Sequence, residues 1–404
     1  MNSMSCCSVH PHRVLTSLKI TKTGGRNSKK RFWSGSKVKN ELIGKEAKSL
    51  LLLLVTILSI GLVVLYSASF IVVYRYPNVD PNYYMVKQFA VIVLGMIVMT
   101  ILASIDYRIH RRYIHHYYVL ILFLLSSVLI LPSTRGGARR WFDFKYFTFQ
   151  PSEFTKLFII IFLAHYIDRW KERIREFFRG FLVPLILILI LAFLVFLEPD
   201  LSTAVFIVLL SMILLYVGGT RWYYILSTMA LGVLLIFVGY KYGLLKEYQI
   251  ERLREFLDLI TGKGDLSWQT VNSLSAIRSG GLIGVGLGLG NLKYYLPIQI
   301  SDFIFAVLGE EMGMLGMGFI LLLYVLMVRQ MLRCAFRSVR DGFGRLLIIG
   351  YAFWILLQVA MNVSVVVGLI PITGLTLPFL SQGGSSIMAF LSGYGIVLSV
   401  LTHK

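Results

Sequence analysis

Long apolar runs alternate with short, mostly basic connections along the chain. Ten runs read as helices crossing a bilayer: about 49–73, 88–105, 117–131, 154–167, 181–197, 201–217, 223–240, 303–328, 346–369 and 384–401. The fourth has a short apolar core and is expected to begin near Ser152, the candidate cap of that helix. Spans five and six are separated only by Glu198-Pro199-Asp200, where proline stops a helix. The expected fold is an all-α polytopic membrane protein of about ten transmembrane helices, with one long loop, about 241–302, between helices seven and eight.

Charge supplies the orientation. The chain carries a net charge of +20, but only 15% of its residues are charged and 57% are hydrophobic. The excess of Lys and Arg falls in the N-terminal tail and in short loops at 106–116, 168–179 and 329–345, all on one face if there are ten spans. Cytoplasmic loops carry such an excess, so both termini are expected in the cytoplasm and nucleic-acid binding is not. Residues 1–46 hold ten Lys or Arg and no apolar run. They read as a disordered basic tail without a cleavable signal peptide, preceding a membrane domain at 47–404. The cysteines, Cys6, Cys7 and Cys334, have neither disulfide nor metal-site spacing.

Two segments break the simple pattern. The connection 132–153 carries Arg135, Arg139, Arg140 and Lys145 although the span count places it outside. Cations kept there against the topology rule suggest a role on that face. The loop 241–302 mixes seven Lys or Arg with six Asp or Glu, and Tyr248, Leu253 and Phe256 fit a helix lying along the membrane surface. Beyond it, glycines at 284, 286, 288 and 290 match neither a dinucleotide nor a nucleotide-phosphate motif. They suit a flexible re-entrant segment or close backbone approach to a helix.

Ionisable groups inside a bilayer cost roughly 2.5–3.5 kcal/mol each at mid-helix, so each needs a reason. Glu153 and Lys156 lie three residues apart on one helical face. They are either a local ion pair or a charge presented to an anionic substrate. Asp200 and Asp302 each begin a span, where a carboxylate can simply complement the helix dipole. Glu310 lies two turns beyond Asp302, on the order of 12 Å along the axis, so Glu310 and Glu311 read as structural or positioning groups. The histidines show no metal-ligand spacing.

Several stretches resemble the SEDS family (shape, elongation, division and sporulation proteins: FtsW, RodA and SpoVE). They are Gly137-Ala-Arg-Arg-Trp141, Gln150-Pro-Ser-Glu-Phe-Thr-Lys156, Glu198-Pro-Asp-Leu-Ser-Thr203, Ser301-Asp-Phe-Ile-Phe-Ala-Val-Leu-Gly-Glu-Glu311, and the run from Gly368 through Leu377-Pro378 to Gly383-Gly-Ser-Ser386. In family order they cover most of the chain after residue 60. The resemblance implies a peptidoglycan glycosyltransferase that polymerises lipid II beside a class B penicillin-binding protein, in the bacterial cytoplasmic membrane among other division-complex proteins. It implies Asp302 as catalytic carboxylate, with Glu153 and Lys156 lining the same central cavity and Arg139 and Arg140 on the outer side. Asp200, Glu310 and Ser385 join these four as candidate substrate-binding residues. The sequence specifies no cofactor and offers no metal-ligand set; a divalent cation, Mg or Mn, is the one candidate beside the leaving pyrophosphate. Leu65-Tyr-Ser-Ala-Ser69 and Gly309-Glu-Glu311 lean towards FtsW and SpoVE, hence the septum. Departures are Ile298-Gln-Ile-Ser301 before the aspartate, Gln382 where Tyr is usual, and Glu198 where the family pattern has Gln. A flippase of lipid-linked precursors is the alternative, disfavoured by the lack of an inverted repeat.

Overall fold

The computed structural model describes residues 24–75, 82–131, 139–144, 148–243, 250, 254, 267–291 and 301–403, with side chains from Gly44 onward except at 70–75 and 236. It divides into two units, Met1–Lys45 and Glu46–Lys404. The tail expectation concerns residues 1–46, of which 1–23 lie outside the described residues and 24–43 are described only as helical backbone. The surface helix around Tyr248, Leu253 and Phe256, and the cations Arg135 and Lys145, also lie outside them.

The described elements are α1 (Gly24–Arg75), α2 (Asn82–Ser104), α3 (Arg108–Arg112), α4 (Ile114–Ile130), β1 (Phe142–Asp143), β2 (Thr148–Phe149), α5 (Pro151–Arg169), a short 3-10 turn (Lys171–Arg173), α6 (Val183–Leu197) continuing a π-helical turn (Phe177–Leu182), α7 (Leu201–Val217), α8 (Trp222–Lys241), α9 (Trp268–Gly280), α10 (Ile304–Arg337), α11 (Gly342–Val366) and α12 (Gly384–Thr402). Each apolar span read from the sequence falls on one of these helices. Seven are long and apolar enough to cross a membrane, and α4 and α7 are shorter apolar helices. The tenth, α5, carries Glu153, Lys156, Asp168 and Arg169 in its 19 residues.

Burial orders the helices. The apolar window of α12 is 89% buried, against 6% for α8, so α12 is central and α8 peripheral. Trp354 of α11 stacks on Phe390 of α12 with ring centroids 4.3 Å apart, and Tyr351 Oη donates to Phe390 O at 2.7 Å. The outer helix instead exposes Leu231, Val233, Leu234 and Phe237, a face suited to lipid.

The glycine segment approaches a helix closely. Within α10 the backbone leaves helical geometry at Gly313 (φ 67°, ψ −170°). An unbroken helix would pair Met314 N–H with Glu310 O, and Leu315 N–H with Glu311 O. Here Met314 N–H donates to Gly281 O (2.9 Å) and Leu315 N–H to Leu282 O (3.1 Å), while Glu310 O and Glu311 O accept from Val285 N–H (3.0 Å) and Gly286 N–H (3.1 Å). The loop thus satisfies all four groups that the break releases, the condition for broken backbone at membrane depth. A side chain at Gly313 or Gly284 would collide with the opposing backbone.

The connections gather at two ends. At the basic end Arg111 pairs with Asp168 (3.0 Å), and Asp341 accepts from Tyr107 Oη (3.2 Å) and caps α11 through Gly344 N–H (2.9 Å). The other end joins the β1–β2 hairpin, the α6–α7 turn, the start of α10 and the 370–386 segment, and it holds the candidate site.

Candidate functional site

The hairpin and the start of α5 form one edge. Gln150 occupies the N-cap position and Pro151 opens the helix. Ser152 is therefore not the cap, contrary to expectation, because the capping position falls two residues earlier. Its Oγ is buried with no hydrogen-bond partner. Gln150 N–H donates to Ser385 Oγ (2.9 Å), which donates to Thr148 O (2.9 Å), so Ser385 pins the hairpin to the start of α12. Asp200 caps α7 by accepting from Thr203 N–H (3.2 Å), and its other oxygen accepts a long hydrogen bond from Gln150 Nε2 (3.4 Å). The helix-anion reading of Asp200 thus holds locally, within reach of the same hairpin.

One turn into α5, Lys156 is fully buried. Its Nζ lies 2.7 Å from Glu153 Oε1 and 3.4 Å from Gln358 Oε1, with the rings of Phe206 and Trp354 at 5.4 and 5.9 Å. The ammonium exchanges water for a carboxylate, an amide oxygen and two aromatic faces, each favourable to a desolvated cation. Glu153 Oε2 is buried with no hydrogen-bond partner. The ion pair expected from the i, i+3 spacing exists, but it lies inside the bundle.

Asp302 is half-buried just ahead of α10. The N-cap of that helix is Phe303 and no side chain caps it, so Asp302 is not its cap. Asn362 Nδ2 donates to the Asp302 carbonyl (3.0 Å) and to Leu375 O (2.7 Å). Beside the carboxylate lies Gly374, at φ 70°, where an added Cβ would stand 3.7 Å from Asp302 Oδ2.

The remaining candidates separate. Arg139 is exposed and donates to Leu129 O (2.9 Å) at the end of α4. Arg140 Nε donates to Glu198 O (3.0 Å) and its Nη2 to Pro199 O, bracing the α6–α7 turn. Glu198 itself is fully buried, and neither carboxyl oxygen has a hydrogen-bond partner. Burial, and then the nearby Asp200 charge, push its pKa up to about 9, only partly countered by Arg140. Glu310 and Glu311 are buried away from this group: Ser67 Oγ donates to Glu311 Oε1 (2.5 Å), and the Glu310 carboxyl packs against Gly290. Among the described residues no three His, Cys, Asp or Glu side chains come together as metal ligands.

Two central residues escaped the sequence reading. Gln358 and Asn362, both buried, stand one turn apart on α11. Gln358 Nε2 donates to Thr376 O (2.9 Å), its Oε1 accepts from Trp354 Nε1 (2.9 Å), and Thr376 Oγ1 meets Ser386 Oγ (2.8 Å). Through them a continuous polar chain runs from Glu153 and Lys156 to the 374–376 segment and Asp302. The signal was two amides at i, i+4 inside an apolar span, an arrangement that lipid-facing helices avoid.

Fold and site together define a multi-pass helical membrane protein with ionisable side chains converging at one end of its bundle. The family model of the FtsW, RodA and SpoVE cell cycle proteins matches residues 48–404, and the chain belongs to that family. It is 36% identical over 355 residues to a probable peptidoglycan glycosyltransferase FtsW of Trichlorobacter lovleyi, covering 87% of this chain and 92% of that one. It is 37% identical over 369 residues to stage V sporulation protein E of Bacillus subtilis, covering 89% and 98%. Among solved structures, a chain of a peptidoglycan synthase complex aligns with a TM-score of 0.73 at 29% identity, over 87% of this chain and 96% of that one. The rod shape determining protein RodA of Thermus thermophilus aligns with a TM-score of 0.64 at 27% identity, over 87% and 95%.

Proposed function

We propose that this protein is a peptidoglycan glycosyltransferase that polymerises lipid II, with Asp302 as general base. The observation that carries the reading is the half-buried Asp302, which is not the cap of α10 and whose backbone carbonyl is held at the converging end by Asn362. The acceptor sugar hydroxyl attacks the anomeric carbon of a second lipid-linked sugar. The new C–O bond forms as the bond to polyprenyl pyrophosphate breaks, and the hydroxyl proton passes to Asp302. One base without a carboxylate nucleophile gives single displacement with inversion.

The leaving pyrophosphate requires cationic stabilisation. Arg139, exposed at the rim, is better placed to meet it than Arg140, which is engaged with the Glu198 and Pro199 carbonyls. The buried Lys156–Glu153 pair acts from behind, through Gln358 and Thr376.

The basic end of the bundle faces the cytoplasm and Asp302 faces outward, where the polymer is built. A class B penicillin-binding protein is the proposed partner, supported by the likeness to a chain of a peptidoglycan synthase complex. The FtsW and SpoVE relatives support septal work. The buried Lys156–Glu153 pair is the one observation that also suits a flippase. Vesicles holding the protein, its partner and labelled lipid II separate the two. Labelled glycan strands support the polymerase, and movement of lipid II between leaflets with no strand formed overturns it.

A further inference from the structure

Asn362 is 1% exposed, and its side-chain N–H groups donate to two backbone carbonyls from distant parts of the chain, Asp302 O and Leu375 O. Two carbonyls on the nitrogen settle the amide orientation, and Oδ1 has no hydrogen-bond partner. The second carbonyl belongs to the segment that flanks the aspartate, with Gly374 beside Asp302 Oδ2. One turn earlier on α11, Gln358 holds the next residue, Thr376, through its carbonyl. A single face of α11 therefore ties down both walls of the Asp302 carboxylate: its own backbone and the 374–376 segment opposite.

We propose that Asn362 is a positioning residue for glycosyl transfer, fixing the backbone of Asp302 so that its carboxylate meets the acceptor hydroxyl. The proposal rests on Asp302 being the general base. The carboxylate is reached from the Asp302 Cα through one methylene, so displacement of the anchored carbonyl is passed to the reacting oxygen almost undiminished. A displacement of about 1 Å at a reacting group can cost about a hundredfold in rate. Asn362 acts on the geometry of the base rather than on substrate binding, so its loss falls on kcat and not on KM.

The test uses the full chain with its penicillin-binding partner in proteoliposomes and labelled lipid II. Asn362→Leu keeps the branched shape, with bulkier methyl ends, and removes both donors. Ser273→Ala is the matched control. Ser273 Oγ donates to Val366 O (2.8 Å), so this variant deletes a buried hydrogen bond to the same helix that does not involve Asp302. The expected result for Asn362→Leu is a fall in kcat of about a hundredfold with KM within about twofold. Ser273→Ala should keep both within about twofold, even if its melting temperature drops as far. If Asn362→Leu shows no cooperative melting, Asn362→Ala, which removes both donors without overfilling the site or adding a charge, replaces it with the same expectation. An equal loss in Ser273→Ala would reduce Asn362 to a structural role, and a rise in KM at constant kcat would make it a substrate contact; either overturns the proposal. Full activity in Asn362→Leu beside an inactive Asp302→Asn sinks this proposal alone, whereas an active Asp302→Asn sinks the general-base reading beneath it.

Discussion

Replacing Glu198 by Gln should stabilise the protein, and increasingly so as pH rises. The carboxyl is fully buried in the α6–α7 turn with neither oxygen hydrogen-bonded, and its pKa is pushed up to about 9 from an ordinary 4.5. Below about pH 4.5 the group is protonated both folded and unfolded, so wild type and variant should differ little. Between there and about pH 9 the unfolded chain gives up the proton while the folded one keeps it, and wild type loses about 1.4 kcal/mol of stability per pH unit. At pH 7 the accumulated penalty is about 3 kcal/mol, and above pH 9 it levels off. Glutamine supplies the same shape without a proton to lose. Thermal unfolding of both proteins in the same detergent, at half-unit steps from pH 4.5 to 9, reads the effect. The two melting curves should diverge steadily with pH, the variant lying above. Parallel curves, or a variant that loses ground as pH rises, would mean that Glu198 is ionised in the fold and paired.

Lys156→Met should leave Glu153 as a buried charge without its cation and destabilise the protein by roughly 3–5 kcal/mol in thermal unfolding. Adding Glu153→Gln should restore most of that stability without restoring polymerisation, which would separate the pair's structural and functional roles. Gly374→Ala forces a side chain into φ 70° and brings a methyl group to 3.7 Å from Asp302 Oδ2. Its stability loss should be about 1–2 kcal/mol, and its polymerisation rate should fall far more than that of Gly243→Ala, which carries similar strain (φ 66°) with no atom nearby. Equal rates in the two glycine variants would show that the space beside Asp302 is not used by substrate.

Much of the fold was legible because bilayer crossing leaves a coarse signal. Each apolar run from 49–73 to 384–401 became a helix, since hydropathy summed over a span outweighs local propensity. The break in α10 left no comparable mark. Its cause is divided between Gly313 and a segment some thirty residues earlier, and only the fold shows that Gly281–Gly286 takes the hydrogen bonds that the helix gives up. The hairpin was too short to show as alternation, having two residues per strand. At the site, Glu153 and Lys156 could be paired from spacing alone, and Asp200 read as a helix anion. That Lys156 is wholly buried, and that Arg140 braces a turn, depends on which helices lie alongside. Gln358 and Asn362 were hidden by averaging, because two amides barely lower the hydropathy of an otherwise apolar span.

The central claim is that Asp302 removes the acceptor proton. The most direct measurement is polymerisation of labelled lipid II by Asp302→Asn in complex with its penicillin-binding partner, alongside the melting temperature and the yield of complex. The account requires no glycan strands from a protein that melts and binds its partner as wild type does. Strands made at the wild-type rate would contradict it.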